Sequence, residues 1–230
     1  MADLVLIAGT HHGGWYWDAL AEQLRKSGNN VFAPTLTGLD RDHRLKGNIN
    51  LDTHINDVLK IIIDNNLQDL TLVASSYGGM VITGVAERTA ATIESMIYLD
   101  AALPQPGESE WDLIPENLQK LFTHSTSDGI NIDVPADWLK VQPRLAPHPL
   151  ATKLQPLHYS ELNFRKIKKV YVHAQWGLVP GDPSIFKECY EYCANAAGWV
   201  TYSLAAGHDL AREAEGAILQ IITEHLPRSN

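Results

Sequence analysis

Ser76 sits in the run Ala74-Ser75-Ser76-Tyr77-Gly78-Gly79, between an apolar stretch at 70–74 and a helical pattern at 80–88. A serine hydroxyl is a weak nucleophile until a neighbouring base takes its proton. It must also stand clear of the backbone, and a sharp turn from strand to helix does this. Such a turn tolerates only small side chains two positions before and two after the serine. Ala74 and Gly78 meet that condition for Ser76. Ser75 would need small residues at Val73 and Tyr77 and does not have them. The turn also places Ser76 at a helix start, where free N–H groups and the helix dipole favour a developing oxyanion. The plainer alternative is a serine that only caps the helix.

A base is expected further along. Ala206-Gly207-His208-Asp209 follows the last strand-like run, at 199–204. Chain order makes His208 the candidate base, because an acyl-transfer triad on an alternating sheet runs serine, acid, histidine. The first apolar run, 4–8, leads into Gly9-Thr10-His11-His12-Gly13-Gly14-Trp15. A glycine-containing loop here can turn a backbone N–H towards the nucleophile. The Thr10 and Tyr77 N–H groups are the expected oxyanion hole. His11 and His12 also admit a metal-ligand reading, but no Asp, Glu or Cys cluster stands near them in sequence, so no metal or other cofactor is expected.

These residues need a scaffold that gathers the ends of strands. Short apolar runs at 4–8, 31–33, 70–74, 93–99, 170–174 and 199–204 read as buried strands. Helical spacing marks 15–26, 51–65, 80–88, 183–194 and 210–226, with a loop at 35–50. Alternation of this kind predicts a mostly parallel sheet covered by helices on both faces, with its active site at the carboxyl ends of the strands. The rhythm fails between 103 and 166, where many of the 12 prolines fall and Trp111, Leu113, Leu118 and Leu121 suggest short helices. That segment reads as a cap inserted into a core made of 1–102 and 167–230.

The chain of 230 residues is 45% hydrophobic and 20% charged, enough for one domain with a real core. A net charge of −9 argues against nucleic acid or an anionic membrane as partner. Cys189 and Cys193 form neither a disulfide framework nor a zinc pattern and fit a reducing compartment. The apolar start has no basic region before it and is too short to span a bilayer. The expectation is a cytoplasmic protein acting on a small molecule, with its oligomeric state left open.

The stretches 4–17 (LVLIAGTHHGGWYW) and 73–80 (VASSYGGM), with Gly207-His208, resemble the α/β-hydrolase branch of plant methylesterases, hydroxynitrile lyases and related bacterial esterases. PTLTGL, LDTHINDV and MVITGVAER resemble the bacterial members. The resemblance implies an eight-stranded fold reduced at its N-terminus, a small helical cap over the serine, and cofactor-free hydrolysis of small esters. The chain departs from the pattern at Ala8-Gly9, where the family has His-Gly, and at Ser75, where it has His. It also lacks the Asp that plant members carry after the strand corresponding to 170–174. There the sequence is Gln175-Trp176-Gly177-Leu178-Val179, with no carboxylate before Asp182.

Two acids remain. Asp182 precedes Pro183 and doubles as a helix start. Asp100 ends a buried strand, where a carboxylate is costly unless paired, and some α/β-hydrolases, haloalkane dehalogenases among them, carry their acid after the equivalent strand. Asp100 is preferred, with Asp182 as the alternative. The leading reading is a serine carboxylesterase with Ser76, His208 and Asp100 as triad. His11 and the cap aromatics Trp111 and Trp138 are candidate pocket residues. A cyanohydrin-cleaving lyase is the second reading, opposed by Gly9 where the plant lyases have Thr and Asp209 where they have Lys. The third is a non-catalytic small-ligand receptor, kept open by the empty acid loop.

Overall fold

The computed structural model describes residues 1–41, 48–178 and 181–227. Its main sheet has six parallel strands: β1 (Asp3–Ile7), β2 (Asn30–Phe32), β3 (Leu70–Ser75), β4 (Ile93–Leu99), β7 (Lys168–Ala174) and β8 (Trp199–Leu204). Their spatial order is β2-β1-β3-β4-β7-β8. The chain moves outward from β1 to β2, then returns to lay β3 on the other side of β1. That reversal opens a crevice at the carboxyl ends of β1 and β3, where α/β sheets bind their ligands.

The four inner strands, β1, β3, β4 and β7, are buried on both faces over most of their length, which is why they are largely apolar runs and not alternating ones, while the edge strands β2 and β8 are partly exposed. Val5, Ile7, Leu72 and Ala74 point to one face, against Ile55 and Val58 of α2 (Leu51–Asp64) and Val81 and Val85 of α3 (Gly78–Thr89). Leu4, Leu6, Val73 and Ile97 point to the other. They pack on Leu20 and Leu24 of α1 (Asp18–Lys26) and on Ile218 and Ile222 of α10 (Glu215–Glu224). α8 (Lys187–Asn195) turns its two free thiols, Cys189 and Cys193, into the first of these cores.

The helix expected at 15–26 opens as a 3-10 turn, Gly14–Trp17, before α1 begins. The one expected from 183 starts late, because Ser184 turns its hydroxyl inward and caps the Phe186 N–H at 3.0 Å. The last helix is interrupted at Ala214 (φ −132°), between α9 (Leu210–Glu213) and α10. Glu213 reaches back there to the Gly207 N–H, at 2.8 Å. Of the loop expected at 35–50, residues 42–47 lie outside the described set.

Between β4 and β7 the chain forms a cap of short pieces: α4 (Glu110–Leu113), α5 (Glu116–His124), α6 (Ala136–Val141) and α7 (Ala151–Leu154). It also holds an antiparallel pair, β5 (Asn131–Ile132) and β6 (His148–Pro149), that no hydrophobic pattern announces. Among the described residues no helix is long and apolar enough to cross a membrane.

Candidate active site

Ser76 is held at φ 54°, in the left-handed region that a non-glycine residue adopts only under constraint. The constraint is the packing of the turn. A Cβ on Gly78 would lie 2.6 Å from the Ile7 carbonyl oxygen, and one on Gly79 2.1 Å from that of Ala102. The Ser76 carbonyl accepts from the N–H groups of Gly79 and Ala102, each at 3.0 Å. The start of α3 is anchored from below by Tyr77, whose buried hydroxyl meets His54 Nδ1 at 2.8 Å. Among the described residues neither the Thr10 nor the Tyr77 N–H is used by a turn or a cap.

Asp100, at the end of β4, is fully buried and also at positive φ, 42°. Its Oδ2 lies 2.6 Å from His208 Nδ1. Its Oδ1 accepts from the Ser184 hydroxyl at 2.7 Å and the Ala174 N–H at 3.3 Å. His173 Nδ1 stands 3.5 Å from the same oxygen, an electrostatic contact too long and poorly aimed for a hydrogen bond. Burial pushes the Asp100 pKa up, yet His173, His208 and Ser184 together hold it below the usual carboxylate range. The ionised acid thus fixes one nitrogen of His208 as a donor and leaves Nε2 as the acceptor. Asp182 is exposed and its backbone carbonyl accepts the Gly177 N–H at 2.7 Å. In the loop between them, Val179 and Pro180 lie outside the described residues.

Ser76 and His208 line one cavity of about 220 Å³ under the cap. His11 and Trp138 line it too. Trp111 does not: it packs half-buried on the core beside Leu113, with its carbonyl taken by Gln119. His11 and His12 tie their Nδ1 atoms to the backbone carbonyls of Ala146 and Thr10, at 2.9 and 2.7 Å. Among the described residues no group of three or more His, Cys, Asp or Glu is placed to hold a metal.

Residues 4–219 match the α/β hydrolase family. The chain belongs to that family. This hydrolase is 36% identical to a carbendazim hydrolyzing esterase of Nocardioides sp. (strain SG-4G), over 91% of its own length and 93% of that protein's. It is 28% identical to methylesterase 18 of Arabidopsis thaliana over 51% of its own chain and 44% of the plant protein. In structure it is similar to an extracellular α/β-hydrolase from a Paenibacillus species, with a TM-score of 0.80 at 21% identity, covering 99% of this chain and 100% of the other.

Sequence reasoning missed Ser184, Glu110 and Lys153. Ser184 is one of many serines, and its link to Asp100 spans 84 positions. Glu110 and Lys153 carry no motif, since isolated charges are ordinarily solvated, yet they form a buried ion pair at 2.5 Å, with Glu110 on the cavity wall.

Proposed function

We propose that Ser76, His208 and Asp100 form the triad with which this serine hydrolase cleaves small carboxylic esters. The observation that carries the reading is the 2.6 Å bond from His208 Nδ1 to buried Asp100, on a histidine that shares its cavity with Ser76 at the tip of a strained strand-to-helix turn. In this reading His208 Nε2 takes the Ser76 proton as Oγ attacks the ester carbonyl. The Thr10 and Tyr77 N–H groups receive the oxyanion. The tetrahedral intermediate collapses, His208 returns the proton to the departing alkoxide, and an acyl-enzyme remains. Water then attacks the acyl carbon with His208 again as base, releasing the acid and restoring Ser76.

The cap is taken as residues 103–166, a division supported by β4 ending at Leu99 and β7 starting at Lys168. A cytoplasmic location belongs to the same reading and is supported by the two free thiols; cell fractionation tests it. The substrate is a small molecule, and carbendazim, which the Nocardioides relative hydrolyses, belongs in the first panel with aryl, alkyl and lactone esters.

The lyase alternative meets a steric obstacle. A Cβ at position 9 would stand 2.7 Å from Ser76 Cβ, so the threonine of the plant lyases has no room here. Asp209 is engaged by the Tyr16 hydroxyl at 2.7 Å and offers no cation for a leaving cyanide. The deciding experiment is fluorophosphonate labelling alongside the ester panel. Labelling at Ser76 with ester turnover is the expected result. An unlabelled, inactive protein would favour the receptor.

A further inference from the structure

His173 is the next-to-last residue of β7, and the reaction as written above gives it nothing to do. It is only 8% exposed. Its ring stacks on Tyr190 of α8, with centres 4.4 Å apart and planes 11° from parallel. Its neighbour on β8 is Ser203. Nδ1 is buried and makes no hydrogen bond among the described residues. A dry, unpaired ring nitrogen costs free energy, and a phenylalanine would keep the stack without that cost.

The group that faces this nitrogen is the triad acid. His173 Nδ1 stands 3.5 Å from Asp100 Oδ1. Two lone pairs would repel each other at that range in a dry site, so Nδ1 carries the hydrogen. The positive end of its N–H dipole then lies towards the carboxylate, an attraction that needs no hydrogen-bond alignment. Oδ1 also receives the Ser184 hydroxyl and the Ala174 N–H, at 2.7 and 3.3 Å, while Oδ2 is left to His208 at 2.6 Å. Burial alone would raise the Asp100 pKa, and His173 leads the groups that bring it below the ordinary carboxylate range.

The consequence falls on His208. A buried carboxylate with its whole charge on one partner holds an imidazolium tightly, and the neutral ring that must take the Ser76 proton becomes scarcer. Donors on Oδ1 oppose this. Their positive ends draw charge away from Oδ2, so the base stays free at the pH where it works.

We propose that His173 is a positioning residue of the triad, whose Nδ1–H holds part of the Asp100 charge on Oδ1 and so keeps His208 neutral, as base, to lower pH. The proposal rests on the triad reading above. Other titratable groups share the surroundings. Tyr171 of β7 and Cys189 of α8 lie close enough to feel Asp100, and burial keeps both neutral, the phenol well above its ordinary range and the thiol pushed up to about 12. On the cavity side are His12, whose pKa burial lowers, Asp209 with Arg212 at 3.7 Å, and Glu213 on the Gly207 N–H. All of them are common to the variants below, so a difference between variants reports on position 173.

The test follows the rate at which a fluorophosphonate labels Ser76 from about pH 5 to about pH 9. Labelling needs the nucleophile and its base and no knowledge of the substrate. Each protein is scaled to its own plateau, and the midpoint of the acid limb is read. His173→Phe keeps the stack on Tyr190 and removes the donor. Its midpoint should rise by about half a pH unit or more, roughly a threefold slower scaled rate on the acid limb. His173→Asn loses the stack but can place an amide N–H where Nδ1 stands, and its midpoint should stay within about 0.2 unit of the native one. A histidine there for packing alone gives the reverse order of damage and no shift. An unmoved midpoint in His173→Phe, or an equal shift in His173→Asn, overturns the proposal. Should the variants fail to fold, 15N NMR of the native histidine rings decides: a neutral His173 with its hydrogen on Nδ1 supports the proposal, and one with its hydrogen on Nε2 overturns it. Labelling that collapses in Asp100→Asn beside an unmoved midpoint in His173→Phe overturns this inference alone. Labelling indifferent to Asp100→Asn overturns the triad reading with it.

Discussion

Asp100 Oδ2 and His208 Nδ1 are separated by 108 positions in the chain and by 2.6 Å in space. The contact joins the carboxyl end of β4 to the loop after β8, across the intervening strand β7. β7 contributes the Ala174 N–H to the same carboxylate, and the segment before α8 contributes the Ser184 hydroxyl. Asp100→Asn should therefore lower kcat/KM for ester hydrolysis by about four orders of magnitude, by analogy with other serine triads. Asp182→Asn should leave turnover within a few-fold of the native value, because that carboxylate is exposed. Melting temperatures taken beside turnover separate chemistry from stability. Equal effects of the two variants would remove Asp100 from the triad.

The elbow register makes a second prediction. Ser76→Ala should abolish turnover and fluorophosphonate labelling with the fold intact. Ser75 lines the same cavity, but it is only 4% exposed and its Oγ is taken by the Tyr16 hydroxyl at 3.3 Å. Ser75→Ala should cost about 1 kcal/mol of stability, the worth of one buried hydrogen bond, and retain most activity. Urea titrations and initial rates on both variants check this, and activity surviving in Ser76→Ala would show the register misassigned.

What could be read from the sequence depended on how local the cause was. The inner strands announced themselves because burial on both faces demands apolar runs such as 4–8 and 70–74. Ser76 was legible because the small residues its turn requires lie within two positions of it. Asp100 was legible as a charge with no solvent, at the end of an apolar strand. The Lys153–Glu110 pair was not, since only the folding of the cap across 43 positions takes both charges out of water. Trp111 stays open for the related reason that an indole on a four-residue helix can face core or cavity, and only tertiary packing decides between them.

Gly9 lies against Ser76, the proposed nucleophile, without doing chemistry. A Cβ there would meet Ser76 Cβ at 2.7 Å and Ser76 Oγ at 3.3 Å, both on a residue already held at positive φ. Gly9→Ala should push Ser76 out of its reactive position and lower kcat by roughly 100-fold, the scale expected for an ångström-sized misplacement. KM should change little. Labelling by fluorophosphonate should slow in parallel, and a variant that labels and turns over at native rates would show that the turn yields freely. Gly9→Thr should not gain cyanohydrin cleavage, because the larger side chain meets the same wall.

Acid should destabilise the fold well before the carboxylates titrate. Burial lowers the pKa of His54 to about 4 and that of His11 to about 4, and pushes His148 well below its ordinary value. His54 is locked neutral by geometry: Nε2 meets the Thr37 carbonyl at 2.8 Å and so carries the hydrogen, leaving Nδ1 to accept from the Tyr77 hydroxyl. The unfolded chain protonates these rings near pH 6.5 and the native state does not, so the unfolded state binds more protons below that pH. Stability should be full above about pH 7 and decline as pH falls from 6.5 towards 4, by about 2 kcal/mol per buried histidine at pH 5. The depressed pKa of Asp100 adds its own loss only at lower pH, as the folded carboxylate is protonated. Urea unfolding at pH 8, 6 and 5 measures the slope directly. His54→Gln, whose amide can keep a donor and an acceptor in place, should be less stable at pH 8 yet lose less on acidification than the native chain. A native stability that stays level from pH 8 to pH 5 would mean that these rings take up protons without cost.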